Sequence, residues 1–311
     1  MRWFPMGSPG FAGKRSATVL ILWILVWSLT GCMVLRRQKI PVAAASAAPV
    51  WQTASLPELL EKIKVQQDAI QTADLAATIE PSVSSPAKGE IVTYHDVRAF
   101  ILMRKPSFLR MIGLFPVVQN KAFDMASDGE GFRLYIPTKN RFIIGKSRDG
   151  GTRSKSALEN LRPQHILDAL LINGPEPGKE EAALEAFAEK ESSYYIVHIL
   201  RALPEHGFLL ARNIWFERRR LSLVRLQIFD DGGEMVTDVR YSGYAQFSGI
   251  SYPQEIVVDR PKDLYGLRLS LTKLVFNQPL GNDKFLLEQP PGTELINLDR
   301  QSLPEKENKV G

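Results

Sequence analysis

A single cysteine, Cys32, in 311 residues excludes an internal disulfide and any structural zinc site that needs two or more thiolates. Histidine is almost as scarce. His95, His165, His198 and His206 are scattered, without metal-ligand spacing and without a His-Glu-x-x-His run. There is no Gly-x-Ser-x-Gly elbow, no Walker loop and no Rossmann glycine pattern. Asp230 and Asp231 could pair as catalytic carboxylates, but beside Gly232 and Gly233 they read as turn residues. No catalytic residue, cofactor or metal is expected, and the chain is read as a non-enzyme.

Excess charge is lacking too. The net charge is +5, and Arg2, Lys14 and Arg15 supply three of those charges with no acidic residue before Cys32. Without them the remainder carries +2, too little for a phosphate-tracking surface, so nucleic acid is excluded as a partner. At 44% hydrophobic and 23% charged residues the composition is that of a globular protein long enough to bury a full core.

Only one long apolar run is present, Ala17 to Leu29, behind a basic, glycine-rich start. This is the layout of a secretory signal. It ends in Leu29-Thr30-Gly31-Cys32, which resembles the bacterial lipobox at every position. The resemblance implies a signal peptide over 1–31 and a Cys32 that becomes the first mature residue, carrying thioether-linked diacylglycerol and an N-acyl chain such as palmitate. An uncleaved anchor over Ala17–Leu35 is the alternative; it would carry Ser28, Thr30 and Gly31 inside a barely sufficient span. Met33 follows the cysteine where Asp would retain a lipoprotein at the inner membrane, so the resemblance implies the outer membrane, facing the periplasm.

Residues 32–54 are rich in Ala, Ser and Pro and read as a tether, whose roughly 22 flexible residues would span about 25 Å. A helix is expected from Ser55, where Ser55-Leu-Pro-Glu58 has capping-box spacing, to about Ala73, with Leu56, Leu59, Leu60 and Ile63 on one stripe. The period then changes to two. Candidate strands are 75–84, 90–104, 107–114, 121–128, 131–136, 140–146, 193–201, 208–217, 221–230, 234–244, 251–260 and 264–277. Between them lies an insertion at 147–192. Pro163 there suits the first turn of a short helix, and the acidic stretch 175–191 reads as an exposed loop or surface helix. The run Glu217-Arg218-Arg219-Arg220 is either a basic binding patch or a solvated hairpin turn.

Two sets of residues then point to a family. Arg104-Lys-Pro106 is followed by Ser127-Asp-Gly129, Tyr135 and Pro137; later come Asn277-Gln-Pro-Leu280, Phe285 and Pro290-Pro-Gly292. In this order, over 56–146 and 210–298, the chain resembles the LolA/LolB-like superfamily of lipoprotein carriers and acceptors. The resemblance implies a mainly β fold: an unclosed antiparallel β half-barrel of about eleven strands, with helices covering the concave face, over residues 55–300 and ahead of a tail at 301–311. It implies an apolar cavity for acyl chains or lipoprotein lipid moieties. Parity then places Ile101, Met103, Leu109, Met111, Phe123, Met125, Phe132 and Leu134 inward as candidate lipid-binding residues, three of them adaptable methionines.

Lys105 departs from the family's Arg before the strand-end proline, which bonds to the lid; lysine cannot make bidentate contacts, and lid control is not expected from it. An anchored chain also points to an acceptor or lipid-binding relative more than to a shuttle. Leu114 and Phe115, within Ile112–Val118, are then the expected membrane-contact loop, with buried strand continuation as the alternative. Expected partners are a membrane through lipidated Cys32, acyl chains or lipoproteins, and other envelope proteins through the 147–192 insertion. The competing reading is a structural or regulatory envelope module whose barrel is filled by its own side chains.

Overall fold

The computed structural model describes residues 50–85, 88–148, 157–189, 192–204 and 207–299. The expected signal peptide, Cys32, the tether as far as Pro49, His206 and the 301–311 tail lie outside the described residues. Helix α1 (Leu56–Ala69) starts where the capping box places it. The Glu58 carboxylate accepts from the Ser55 N–H at 2.6 Å and from its hydroxyl at 2.8 Å, and these bonds hold the Glu58 pKa below its ordinary value. Leu59 and Ile63 are its buried face.

The helix stops at Ala69, short of the expected Ala73, because β1 (Thr72–Ser85) begins almost at once. Strand β1 is paired on both sides from its first residues, Thr72 with Arg104 of β3 (Val97–Arg104) and Ala73 with Phe276 of β14 (Tyr265–Phe276). Two ladders of backbone bonds outweigh the good helix propensity of an Ala-rich segment. Asn277 marks the junction. Its φ of 61° is left-handed, which asparagine tolerates, and its side chain donates to Ala69 O at 2.8 Å while accepting from Gln71 N at 2.8 Å.

Among the described residues fifteen strands form one sheet, rather than about eleven. Strand β1 lies at its centre. On one side follow β3, β4 (Phe108–Leu114), β5 (Lys121–Ser127), β6 (Gly131–Ile136) and β7 (Arg141–Lys146), ending in β15 (Glu294–Asn297). On the other side follow β14, β13 (Ile250–Arg260), β12 (Met235–Phe247), β11 (Ser222–Phe229), β10 (Phe208–Glu217), β9 (Ser192–Ala202) and β8 (Glu180–Glu189). The short β2 (Glu90–Thr93) pairs only with β1. Strands β8 and β15 do not pair, so the sheet is open, and mainly antiparallel as expected.

Three differences account for the larger count. The expected strand 90–104 divides into β2 and β3. Residues 180–189 of the acidic stretch 175–191 are neither loop nor helix: they form β8, drawn into register by β9 from Glu180–Arg201 to Glu189–Ser192. Strand β15 adds to β7 in parallel, brought there by the Pro290-Pro-Gly292 turn, whose Gly292 carbonyl accepts from the Asn140 side chain at 2.9 Å.

The Ser127-Asp-Gly129 motif is a turn. Asp128 accepts from the N–H groups of Glu130 at 3.1 Å and Gly131 at 3.0 Å. Gly129 has φ of 103°, and a Cβ there would stand 1.9 Å from the Ser107 hydroxyl, so only glycine fits.

Helix α2 (Pro163–Leu170) carries Pro163 in its first turn and buries Ile166, Leu167, Ala169 and Leu170 within the main apolar cluster. Three strands reach it. Tyr241 of β12 donates to Ala169 O at 3.0 Å, Tyr252 of β13 donates to Leu170 O at 2.7 Å, and Tyr265 of β14 lies 2.6 Å from His165 Nδ1. The two carbonyls belong to the last turn, where no intrahelical donor exists, so the hydroxyls cap the helix from inside the protein. Burial pushes the Tyr241 and Tyr252 pKa values well above that of a free phenol.

Candidate functional site

Of the eight residues read as inward on β3 to β6, seven are buried and Phe123 is half-buried. Ile101, Met103, Leu109, Met111, Met125, Phe132 and Leu134 are at most 3% exposed and share one cluster with α1 and α2. Phe123 is half-buried, its ring filling the space over Gly113 where a Cβ would come within 2.3 Å. Seven of the eight residues are thus covered by the protein itself, and none of the eight lines the open cavity described next.

That cavity, of about 780 Å³, opens between α1 and the strands β10 to β13. Such a volume is within the range of small-molecule sites. Its walls are largely apolar: Ile63 and Val65 from α1, Ile172 beyond α2, Leu221 and Leu223 at the start of β11, and Ile250 at the start of β13. Tyr244 also lines it, its hydroxyl donating to Leu223 O at 2.6 Å and its pKa raised by burial. Lys62, Glu217 and Arg220 supply the charged groups.

Several anchors fix α1 over this space. The Lys105 ammonium donates to Gln67 O in the last helical turn, and burial lowers its pKa while Asp68 opposes that shift. Lys105, from which lid control was not expected, thus touches the helix through this bond. It cannot fork as arginine does, but one bond to a helix-terminal carbonyl is enough to pin the turn. At the other end, Ala54 N–H donates to the Tyr195 hydroxyl at 3.4 Å.

The chain reaches α1 past the same cavity. Residues 51–52 lie on the β10–β11 turn: Gln52 N–H donates to Arg218 O at 2.8 Å, Arg218 Nε returns a bond to Gln52 O at 3.1 Å, and the Arg219 guanidinium lies over the Trp51 ring at 5.5 Å. The basic run is thus a turn, as one of its two readings had it, but not a merely solvated one.

The expected membrane-contact residues sit at the other end of the strands. Arg98 pairs with Leu114 and Ile79 with Val97, placing the β4–β5 turn toward the far end of β1, whereas Glu217–Ser222 and Phe247–Ile250 close the near end beside the cavity. Leu114 is half-buried as a strand residue and Phe115 is 36% exposed. The tip itself is Val117 and Val118, at 92% and 63% exposure.

A smaller cavity of about 220 Å³, lined by Asp168, Arg148 and Arg212 among others, holds the second charged cluster. Arg212 bonds Glu180 at 2.5 Å and Gly174 O at 3.2 Å. Burial raises the pKa of Asp168 against the pull of a bond from Gln164. Among the described residues no group of three or more His, Cys, Asp or Glu could hold a metal, and no helix is long and apolar enough to cross a membrane.

Solved structures similar to this chain include a LolA superfamily protein. That protein, from Nitrosomonas europaea, matches over 76% of this chain and 99% of its own, at 11% identity and a TM-score of 0.48. A domain assigned as an outer membrane lipoprotein-sorting protein, from Vibrio parahaemolyticus, matches over 73% and 94% at 12% identity and TM-score 0.48. A DUF1329 family protein from Desulfovibrio piger matches over the same shares at 13% identity and TM-score 0.48. No family model and no curated protein matches the chain.

The cavity residues escaped the sequence reading because they come from six separated stretches between Lys62 and Ser251. One signal could have found them: three consecutive arginines at a turn flanked by Phe216 and Leu221.

Proposed function

We propose that the protein is a lipid-anchored envelope protein, held by acylated Cys32 at the periplasmic face of the outer membrane, that binds acyl chains without covalent chemistry and acts in lipid or lipoprotein trafficking. The observation that carries this reading is the open, largely apolar cavity under α1, beside the point where the chain from residue 50 joins the body. Acyl surface moved from water onto such walls gains about 25 cal/mol per Å². The Leu29-Thr30-Gly31-Cys32 motif supports the anchor. Val117 and Val118, with Phe115 and Leu114 behind them, are the surface that would enter a bilayer.

The eight inward residues of β3 to β6 take a second role in this reading. Seven of them pack into one cluster with α1 and α2, and would meet a ligand only when a covering helix is displaced.

Lipid extracted from the full-length protein, purified without added lipid, tests the proposal by mass spectrometry. Val65 is 58% exposed at the cavity, so Val65→Trp blocks the space without disturbing the core. Co-purifying lipid that falls away in this variant, but not in Val50→Trp, is the expected result. A lipid-free wild type would refute acyl binding.

The reading as a filled structural module rests on a specific observation as well: seven of those eight residues are buried and α2 is tied to three tyrosines. It predicts the lipid-free outcome together with a protein partner recovered through the β8 side of the molecule.

A further inference from the structure

The ligand class can be narrowed from the charges at the cavity, an inference that rests on the acyl-binding reading above. Of the three arginines in the β10–β11 turn, two are occupied. Arg218 bonds Gln52 O at 3.1 Å and Ser193 Oγ at 3.2 Å and lies over the Tyr195 ring at 4.6 Å, and Arg219 lies over Trp51. Arg220 has no hydrogen-bond or ion-pair partner among the described residues, and it lines the cavity. Lys62 of α1 lines the same cavity and also has no partner among the described residues, whereas its neighbour Lys64 is paired with Asp68 at 2.6 Å. The one carboxylate of the lining, Glu217, accepts from the Ser222 hydroxyl at 3.2 Å.

One cavity with largely apolar walls is thus lined by two cations that have no partner among the described residues, one from α1 and one from the β10–β11 turn. An uncharged acyl group, such as the diacylglyceryl thioether of a lipoprotein, would fill the space and leave both cations unused. A phosphodiester attached to acyl chains would use everything: the chains take the apolar walls, the guanidinium fork takes two phosphate oxygens, and the ammonium takes a third contact as a point charge. We infer that the cavity binds a glycerophospholipid, with its phosphate held between Lys62 and Arg220, in preference to an uncharged diacylglyceryl group.

The test uses the full chain in an uncharged detergent, with two photoactivatable probes that carry the same acyl chains: a phosphatidylglycerol and a diacylglycerol. Crosslinks are mapped by peptide mass spectrometry in wild type and in Lys62→Gln/Arg220→Gln, whose thermal melt is compared first. Both substitutions are on exposed side chains. The expected result is labelling of cavity peptides by phosphatidylglycerol at least about tenfold above diacylglycerol, falling to the diacylglycerol level in the double variant and unaffected by excess inorganic phosphate.

Equal cavity labelling by both probes, or phosphatidylglycerol labelling unchanged in the double variant, overturns the phosphate inference while leaving acyl binding intact. Displacement of the phospholipid by inorganic phosphate alone also overturns it, in favour of a free-phosphate site. No cavity labelling by either probe refutes acyl binding itself.

Discussion

Helix α2 stands or falls with the tyrosine hydroxyls that cap it, and Tyr252→Phe isolates one of them. The ring is 2% exposed and packs edge-on against Phe276 at 5.4 Å, a contact that phenylalanine keeps. What disappears is the 2.7 Å bond to Leu170 O, a helix-terminal carbonyl with no intrahelical donor. Stranding a buried acceptor costs about 1–3 kcal/mol. For a body of this size each kcal/mol moves the melting midpoint by about 2–4 °C, so a drop of roughly 2–12 °C is expected.

A second readout separates this bond from general damage. Burial raises the folded-state pKa of Tyr252, so above the ordinary value of 10.0 the unfolded chain loses a proton that the folded one keeps. Stability must then fall as pH rises beyond that point, and Tyr252→Phe must flatten the fall. Thermal and urea melts followed by near-ultraviolet circular dichroism at neutral and alkaline pH measure both effects. A midpoint within about 0.5 kcal/mol of wild type, with an unchanged alkaline slope, would show that the hydroxyl does not cap α2. Tyr241→Phe added to Tyr252→Phe strands two carbonyls of one helix end, and non-additivity is expected because both hydroxyls hold that one turn.

Asp168 gives the opposite kind of pH dependence from an ordinary paired carboxylate. Its folded pKa is raised, so the folded state keeps a proton that the unfolded state releases above 3.8, and stability declines as pH climbs from there toward the raised value. Asp168→Asn is expected to raise stability at neutral pH and flatten that decline in urea melts; a lower midpoint at pH 7 would contradict it. Gly129→Ala forces a methyl to 1.9 Å from the Ser107 hydroxyl in a left-handed backbone, at a cost of about 1–3 kcal/mol, and an unchanged melt would refute the glycine requirement. Lys105→Met removes the bond to Gln67 O, so hydrogen exchange over 64–70 should accelerate while that of β3 stays as it was; no change would mean that Lys105 does not hold the helix.

Much of this fold can be read from local pattern. Leu267, Leu269 and Leu271 alternate on one face and are all buried, the capping box locates the start of α1, and the Asp230–Gly233 turn closes β11 onto β12. What resists reading is whatever depends on partners distant in sequence. Strand β8 consists of Ala, Glu, Leu and one Phe, residues whose intrinsic bias is helical, and only the ladder to β9 makes it a strand. Strand β15 has four residues and no alternation to detect, so its parallel pairing with β7 has no local signature. The inward face of β3 to β6 was legible by parity, but whether a helix or a ligand covers it is decided by Pro163–Leu170, which no periodicity within those strands reports.

An open sheet leaves two rows of unused backbone donors and acceptors, and each invites a second chain to continue the ladder. At the β15 border the invitation is brief, since four residues offer little to pair with. The β8 border is ten residues long, and there the acidic composition finds its meaning. Glu181, Glu185 and Glu189 place exposed carboxylates at its start, middle and end, so two copies approaching border to border would bring like charge against like. The same glutamates that disguise β8 as a loop in the sequence thereby act as a fence, allowing a half-open barrel to keep its opening without growing into a fibre.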